Sequence, residues 1–131
     1  MPRSYDLIIV GAGPAGLTAA LYGSRMGIKT LMIGETMGGM VSETTVIENY
    51  PGFERIEGAE LIDRMQKQAQ AMGAELLVPE SVEEIGVAGP KKRIKTFTEE
   101  FESDALILAT GCHHRKLGVP GEEEYRGRGV S

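Results

Sequence analysis

An α/β fold built on a largely parallel sheet is predicted by three features of the sequence. An apolar β-type run, Tyr5 to Val10 (YDLIIV), passes directly into the turn GAGPAG and then into a helix-like stretch, Leu17 to Arg25. A second strand, Lys29 to Ile33, follows at once. Far along the chain, Ala105 to Ala109 (ALILA) is continuously apolar, as expected of a central parallel strand covered on both faces. Together these give a strand–turn–helix–strand start with its sheet completed from the other end of the chain.

The first turn carries chemistry. In G-x-G-x-x-G between a strand and a helix, a pyrophosphate must approach the backbone closely. Gly11 permits the tight turn, Gly13 removes the Cβ that would hold phosphates away, and Gly16 lets helix and strand pack together. Pro14 suits the first helical turn, where its missing N–H costs nothing. The free amides and positive dipole end of the helix then face the anion. Leu17, Ala20, Leu21 and Met26 recur near the helical period. This is a Rossmann-like, doubly wound dinucleotide-binding pattern.

Gly34 to Ile47 (GETMGGMVSETTVI) shows no clear period and reads as irregular, and Glu48 to Gly52 reads as a turn in which Pro51 keeps Tyr50 extended. From Gly58 to Met72, the residues Leu61, Ile62, Met65, Ala69 and Met72 repeat at helical spacing, with Gly73 as terminator. Short strands follow at Glu75 to Val78, Val82 to Val87 and Arg93 to Phe97, a small β-meander leading into Ala105 to Ala109. The tail from Pro120 to Ser131 is Gly- and Glu-rich and reads as irregular.

Composition bounds the function. The 131 residues suit one domain, and 41% hydrophobic content is enough for a core. Fourteen basic against nineteen acidic residues give a net charge of −5, which argues against a nucleic-acid partner. The one dense basic stretch, Lys91, Lys92, Arg93 and Lys95, reads as a solvated hairpin beside Gly89-Pro90. A single cysteine, Cys112, excludes an intramolecular disulfide and points to a reducing compartment such as the cytoplasm. No apolar run approaches the roughly 20 residues of a membrane helix, so a soluble protein without a membrane partner is expected. Cys112, His113 and His114 are neighbours, and adjacent side chains of an extended segment point to opposite faces, so no metal site is expected. The seven methionines read as fillers of helix faces and of the 34–47 segment, and Glu122 to Glu124 as solvated.

Taken in order, YDLIIVGAGPAGLTAALYGSRMG, MGGMV, TTVIENYPGF, GAELIDRM, DALILATG and LGVPGEEEYRGRGVS resemble the low-molecular-weight thioredoxin reductases, two-domain pyridine-nucleotide disulfide oxidoreductases, along essentially the whole chain. DALILATG and ENYPGF are more specific than the first glycine motif. The resemblance implies the N-terminal portion of an FAD-binding domain, residues 1–117, with residues 118–131 as a crossover toward an NADPH domain that is not present. Carried over by position, Gly11, Gly13, Pro14, Ala15 and Gly16 would receive the pyrophosphate. Gly38, Gly39 and Met40 would run beside the ribityl and flavin portion, Asn49 would make a polar contact on the flavin side, and Val82 would meet adenine through its backbone. Thr110 and Gly111 would close over the cofactor.

Two departures stand out. The acid expected at the end of the second strand for the adenosine ribose falls at Gly34, and Glu35 stands one residue late. Met40 takes the place of a family glutamine, which removes an amide able to bond the flavin or hold Asn49. The resemblance also implies a Cys-x-x-Cys pair, an NADPH domain and a Gly-Asp motif beyond GRGVS, none of which is in this sequence. A reductase needs that dithiol and a second nucleotide site, so no catalytic residue is assigned to this chain. The implied parent reaction runs from NADPH through FAD to the disulfide of a thioredoxin-like protein. A ferredoxin–NADP reductase type without the dithiol and a non-catalytic FAD module are the alternatives. A sheet edge left open by the missing part leads us to expect self-association, a homodimer or completion by another segment.

Overall fold

The structure is a computed structural model that describes residues 1–130. Six strands form one sheet: β1 (Arg3–Val10), β2 (Thr30–Ile33), β3 (Glu75–Leu77), β4 (Val82–Gly86), β5 (Lys92–Thr96) and β6 (Glu100–Leu108), in the order β3-β2-β1-β6-β5-β4. Helix α1 (Pro14–Arg25) joins β1 to β2, and α2 (Gly58–Ala71) leads into β3. β1 pairs in parallel with β2 on one side and with β6 on the other, and β2 pairs in parallel with β3. β4, β5 and β6 form the antiparallel meander.

β1 lies at the centre and is apolar on both faces. Leu7 and Ile9 join Met32 against Leu17 and Ala20 of α1 and Ile62 and Ala69 of α2. Ile8 and Val10 join Leu31 and Ile33 on the opposite face, where Ile94 and Phe101, with half-buried Val82 and Ile85, supply the cover. Two helices therefore cover one face and the meander the other. Each fully buried Ile or Leu of this kind contributes roughly 1.5–3 kcal/mol.

Several sequence expectations shift. β6 begins at Glu100, not Ala105, because its first residues pair with both β5 and β1. ALILA was expected to be central and covered, yet it pairs with β1 alone, because the pairing of β5 with β6 stops at Ser103, and it is not covered on both faces: Ala105 is exposed, Ile107 is 39% exposed and Leu108 62% exposed. The segment expected to be irregular contains a 3-10 turn, Gly39–Glu43. Met26 and Met72 are exposed because each sits at a helix C-cap, past the apolar stripe. Glu122 is engaged, its carboxylate accepting the Leu117 and Gly118 amides at 2.7 Å each, which holds it below the usual carboxylate range. Lys91 pairs with Asp104 at 2.6 Å, so the basic hairpin is partly neutralised. The expected terminator Gly73 does follow α2, with its amide donating to the Gln70 carbonyl. Residues 120–130 form turns, and the last residue of the expected irregular tail, Ser131, lies outside the described residues.

Candidate functional site

The parallel strands end on one edge, and the chain leaves β1 for β2 on one side while β6 lies on the other. In open α/β sheets that reversal of strand order, at the carboxyl ends, is where ligands bind. Gly11 sits there. Its amide donates to the Ile33 carbonyl at the end of β2, and the Ala109 amide, just past β6, donates to the Val10 carbonyl at the end of β1, both at 2.8 Å. Gly11 has φ of +118°, and a Cβ on it would lie 2.0 Å from the Ala109 carbonyl oxygen, so only glycine fits.

From Gly11 the chain enters α1 with Gly13 as an extended N-cap and Pro14 as the first helical residue. No side chain caps this helix and no acid lies in its first turn, so the amides and positive end there are available to an anion. Ala15 is exposed at this end, while Gly16 is buried, since a Cβ on it would lie 1.9 Å from the Gly11 carbonyl oxygen.

The second glycine turn folds onto the first. The Gly38 amide donates to the Ala12 carbonyl at 2.7 Å, and the Ser42 hydroxyl donates to the Gly39 carbonyl at 2.7 Å. A Cβ added at Gly39 would lie 3.7 Å from the Gly13 Cα, and one at Gly13 would lie 4.0 Å from the Gly38 carbonyl oxygen. Two stretches of backbone without side chains thus face each other at the start of α1. Such a cradle can take a pyrophosphate and the linear part of a dinucleotide against amides alone.

The remaining predicted residues fall in three places. Thr110 follows β6 with its amide close to Gly11, whereas Gly111 is exposed with open space around it. Met40 is half-buried in the 3-10 turn. Asn49 is exposed in the small loop closed by the Ile47–Ile56 bridge, and it makes no hydrogen bond to the glycine turns among the described residues. Glu35 and Val82 converge on a separate corner, because the Ser81 hydroxyl, one residue before Val82, donates to the Glu35 carboxylate at 2.5 Å. There the Glu80 amide donates to the Gly34 carbonyl at 2.8 Å. The Thr96 and Thr98 hydroxyls hold the Glu80 carboxyl below its usual range.

Sequence reasoning missed Ser81, Gly34 and Gly58. A Cβ at Gly34 would lie 2.6 Å from the Ala12 Cβ, and one at Gly58 2.1 Å from the Val41 carbonyl oxygen, so both glycines let segments close on the site. At position 34 the glycine standing where an acid was expected was itself the signal. Cys112 is exposed and unpaired, and among the described residues no group of three or more His, Cys, Asp or Glu is placed to hold a metal ion. Among the described residues no helix is long and apolar enough to cross a membrane.

Residues 5–131 match the pyridine nucleotide-disulphide oxidoreductase family. The chain belongs to that family. Within it, the chain is 46% identical over 130 residues to thioredoxin reductase of Bacillus subtilis (strain 168), covering 98% of this chain and 41% of that protein. It is 46% identical over 129 residues to thioredoxin reductase of Mycolicibacterium smegmatis, covering 97% of this chain and 41% of that protein. The crystal structure of Lactococcus lactis thioredoxin reductase in its FR conformation superposes with a TM-score of 0.85 at 46% identity, covering 97% of this chain and 42% of that one. The chain therefore spans about two fifths of the length of the relatives it matches. The resemblance and the Rossmann-like fold with its meander hold, and these relatives are thioredoxin reductases, not the ferredoxin–NADP reductase type.

Proposed function

We propose that these residues are the FAD-binding portion of an NADPH-dependent thioredoxin-disulfide reductase, with residues 1–117 holding the cofactor and 118–131 crossing toward an NADPH domain. The observation that carries this reading is the pair of glycine turns closed on each other at the uncapped start of α1. The residues fit the group: the cradle is lined by backbone, and a Cβ at Gly13 would project into it without striking another part of the protein.

FAD, when bound, supplies the two-electron step between NADPH and a protein disulfide such as that of thioredoxin. The chain's own work is binding and orientation. The amides of Gly13, Ala15 and Gly16 would meet the pyrophosphate beside Pro14, Gly38 to Met40 would flank the ribityl and flavin portion with Asn49 on the flavin side, and Glu35 and Val82 would hold the adenosine. Thr110 and Gly111 would close the cradle from the end of β6. NADPH and the dithiol would belong to the rest of the parent enzyme.

The unpaired side of β6 supports completion by a further segment or self-association. β5 pairs with β6 only as far as Ser103, so Asp104 to Leu108 keep one edge open beside exposed Ile107 and Leu108. A cytoplasmic setting rests on the single cysteine.

The test is an absorbance spectrum with intact mass, taken after gel filtration of the purified chain with added FAD. Flavin bands that travel with the 131-residue mass support an autonomous cofactor-binding unit. Colourless protein at millimolar FAD would count against binding by this chain alone.

A further inference from the structure

The acid one residue late has a tether of its own. Gly34 cannot carry a side chain, because a Cβ there would lie 2.6 Å from the Ala12 Cβ and 2.8 Å from the Ala12 amide nitrogen. That contact is part of the glycine-turn closure, so the position directly after β2 is not open to a carboxylate. Glu35 is the next residue and is exposed. Left to itself, an exposed glutamate samples many rotamers and loses that freedom when it binds.

The loop before β4 removes part of that freedom. The Gly34 amide donates to the Leu77 carbonyl at 3.1 Å, and the Glu80 amide donates back to the Gly34 carbonyl at 2.8 Å. One residue further along each segment, the Ser81 hydroxyl donates to Glu35 Oε1. Three bonds thus tie Gly34 and Glu35, just past β2, to the segment from the end of β3 to the residue before β4, the last of them through side chains. Glu35 Oε2 accepts no hydrogen bond among the described residues, and the Glu35 carboxylate forms no ion pair among them.

We propose that Ser81 is a positioning residue for the adenosine end of the dinucleotide: its hydroxyl fixes Glu35 Oε1, so that Oε2 is held ready to accept from the ribose hydroxyls. The inference rests on the FAD reading and deepens it. It explains how an acid displaced by one residue serves the ribose: the tether compensates for the glycine that the closed turns require at position 34. Ser81 is adjacent to Val82, so one short segment would orient the ribose acid and face the base.

The test uses the 131-residue chain and two probes, ADP and 2′-deoxy-ADP, titrated calorimetrically. Wild type should prefer ADP by about tenfold, the value of one hydrogen bond to a charged acceptor. Ser81→Ala should lose most of that preference by weakening ADP about fivefold while leaving 2′-deoxy-ADP unchanged. Ser81→Thr, which keeps the hydroxyl, should restore it. Glu35→Gln should resemble Ser81→Ala, and combining the two should add little, since both act through one contact. Matching thermal melts of the variants and wild type show that each is folded. Equal weakening of both nucleotides in Ser81→Ala, or no change in either, would overturn the proposal. A wild type that holds FAD through gel filtration but does not distinguish the two nucleotides would overturn it while leaving the cofactor reading intact. Failure to bind either FAD or ADP would overturn both.

Discussion

β1 and β6 run side by side, paired residue for residue, and their upper halves are nearly equally apolar, yet one is sealed and the other is not. Leu7, Ile8, Ile9 and Val10 pair with Ala105, Leu106, Ile107 and Leu108. Ile8 and Ile9 are fully buried, whereas Ile107 and Leu108 are 39% and 62% exposed. The lower half of the same pair behaves differently: Phe101 and Ser103 of β6 are as buried as Tyr5 of β1. The difference tracks the meander, which pairs with β6 only from Glu100 to Ser103. An apolar run states the cover a strand requires; only the chain that packs on it decides whether the cover is there.

The largest effect should come from deleting the same methylenes on both sides of the pair. Ile9→Ala leaves a cavity between β1 and the two helices and should cost about 2–5 kcal/mol. Ile107→Ala, directly opposite, should cost less than about 1 kcal/mol because little surrounds it. Urea unfolding of the two variants measures the contrast, and equal losses would mean that β6 is covered in solution, by a second copy for instance. Ile107→Lys sharpens that alternative. Self-association through the open edge predicts that the lysine shifts the chain to smaller size in gel filtration with stability changed by about 0.5 kcal/mol or less.

A smaller effect belongs to the sealed lower half. Tyr5 packs against Phe101 in a tilted contact with ring centroids 6.3 Å apart, Lys29 lies over its ring, and its hydroxyl donates to Glu75 at 2.7 Å. Burial, then the bond to the Glu75 carboxylate, raises its pKa from 10.0 to about 12. A folded-state value above the unfolded one means stability that is full below pH 10 and is lost as pH rises toward 12. Stability measured from pH 9 to 12 should therefore fall in wild type and fall less steeply in Tyr5→Phe, which at neutral pH should cost about 1 kcal/mol for the lost hydrogen bond.

Much of this was legible in the sequence for a physical reason. The β1–α1–β2 start is local: strand run, glycine turn, Pro14 and helical spacing all lie within 33 residues and point the same way. The same holds for α2 and Gly73. What escaped was set by distant partners. Nothing near Ser81 reveals that Glu35, 46 residues earlier, shares its corner, and nothing in ALILA reveals that its cover stops short. Glu122 looked solvated because its partners are backbone amides, which leave no mark in side-chain chemistry. Of the site, the first glycine turn was readable from spacing and the second only through the family resemblance, while their closure through the Gly38 amide and Ala12 carbonyl was not readable at all.

Gly13 offers the most direct test of the cradle. Its φ of −79° suits any residue, and a Cβ would find its nearest neighbour 4.0 Å away at the Gly38 carbonyl oxygen, so the protein itself does not require glycine there. Only a ligand lying against the backbone does. FAD titration of Gly13→Ala beside wild type, followed by flavin absorbance with thermal melting as the folding control, should show an equally stable protein whose FAD affinity has dropped by at least about tenfold. A folded Gly13→Ala chain that binds FAD as tightly as wild type would contradict a dinucleotide held between the two glycine turns.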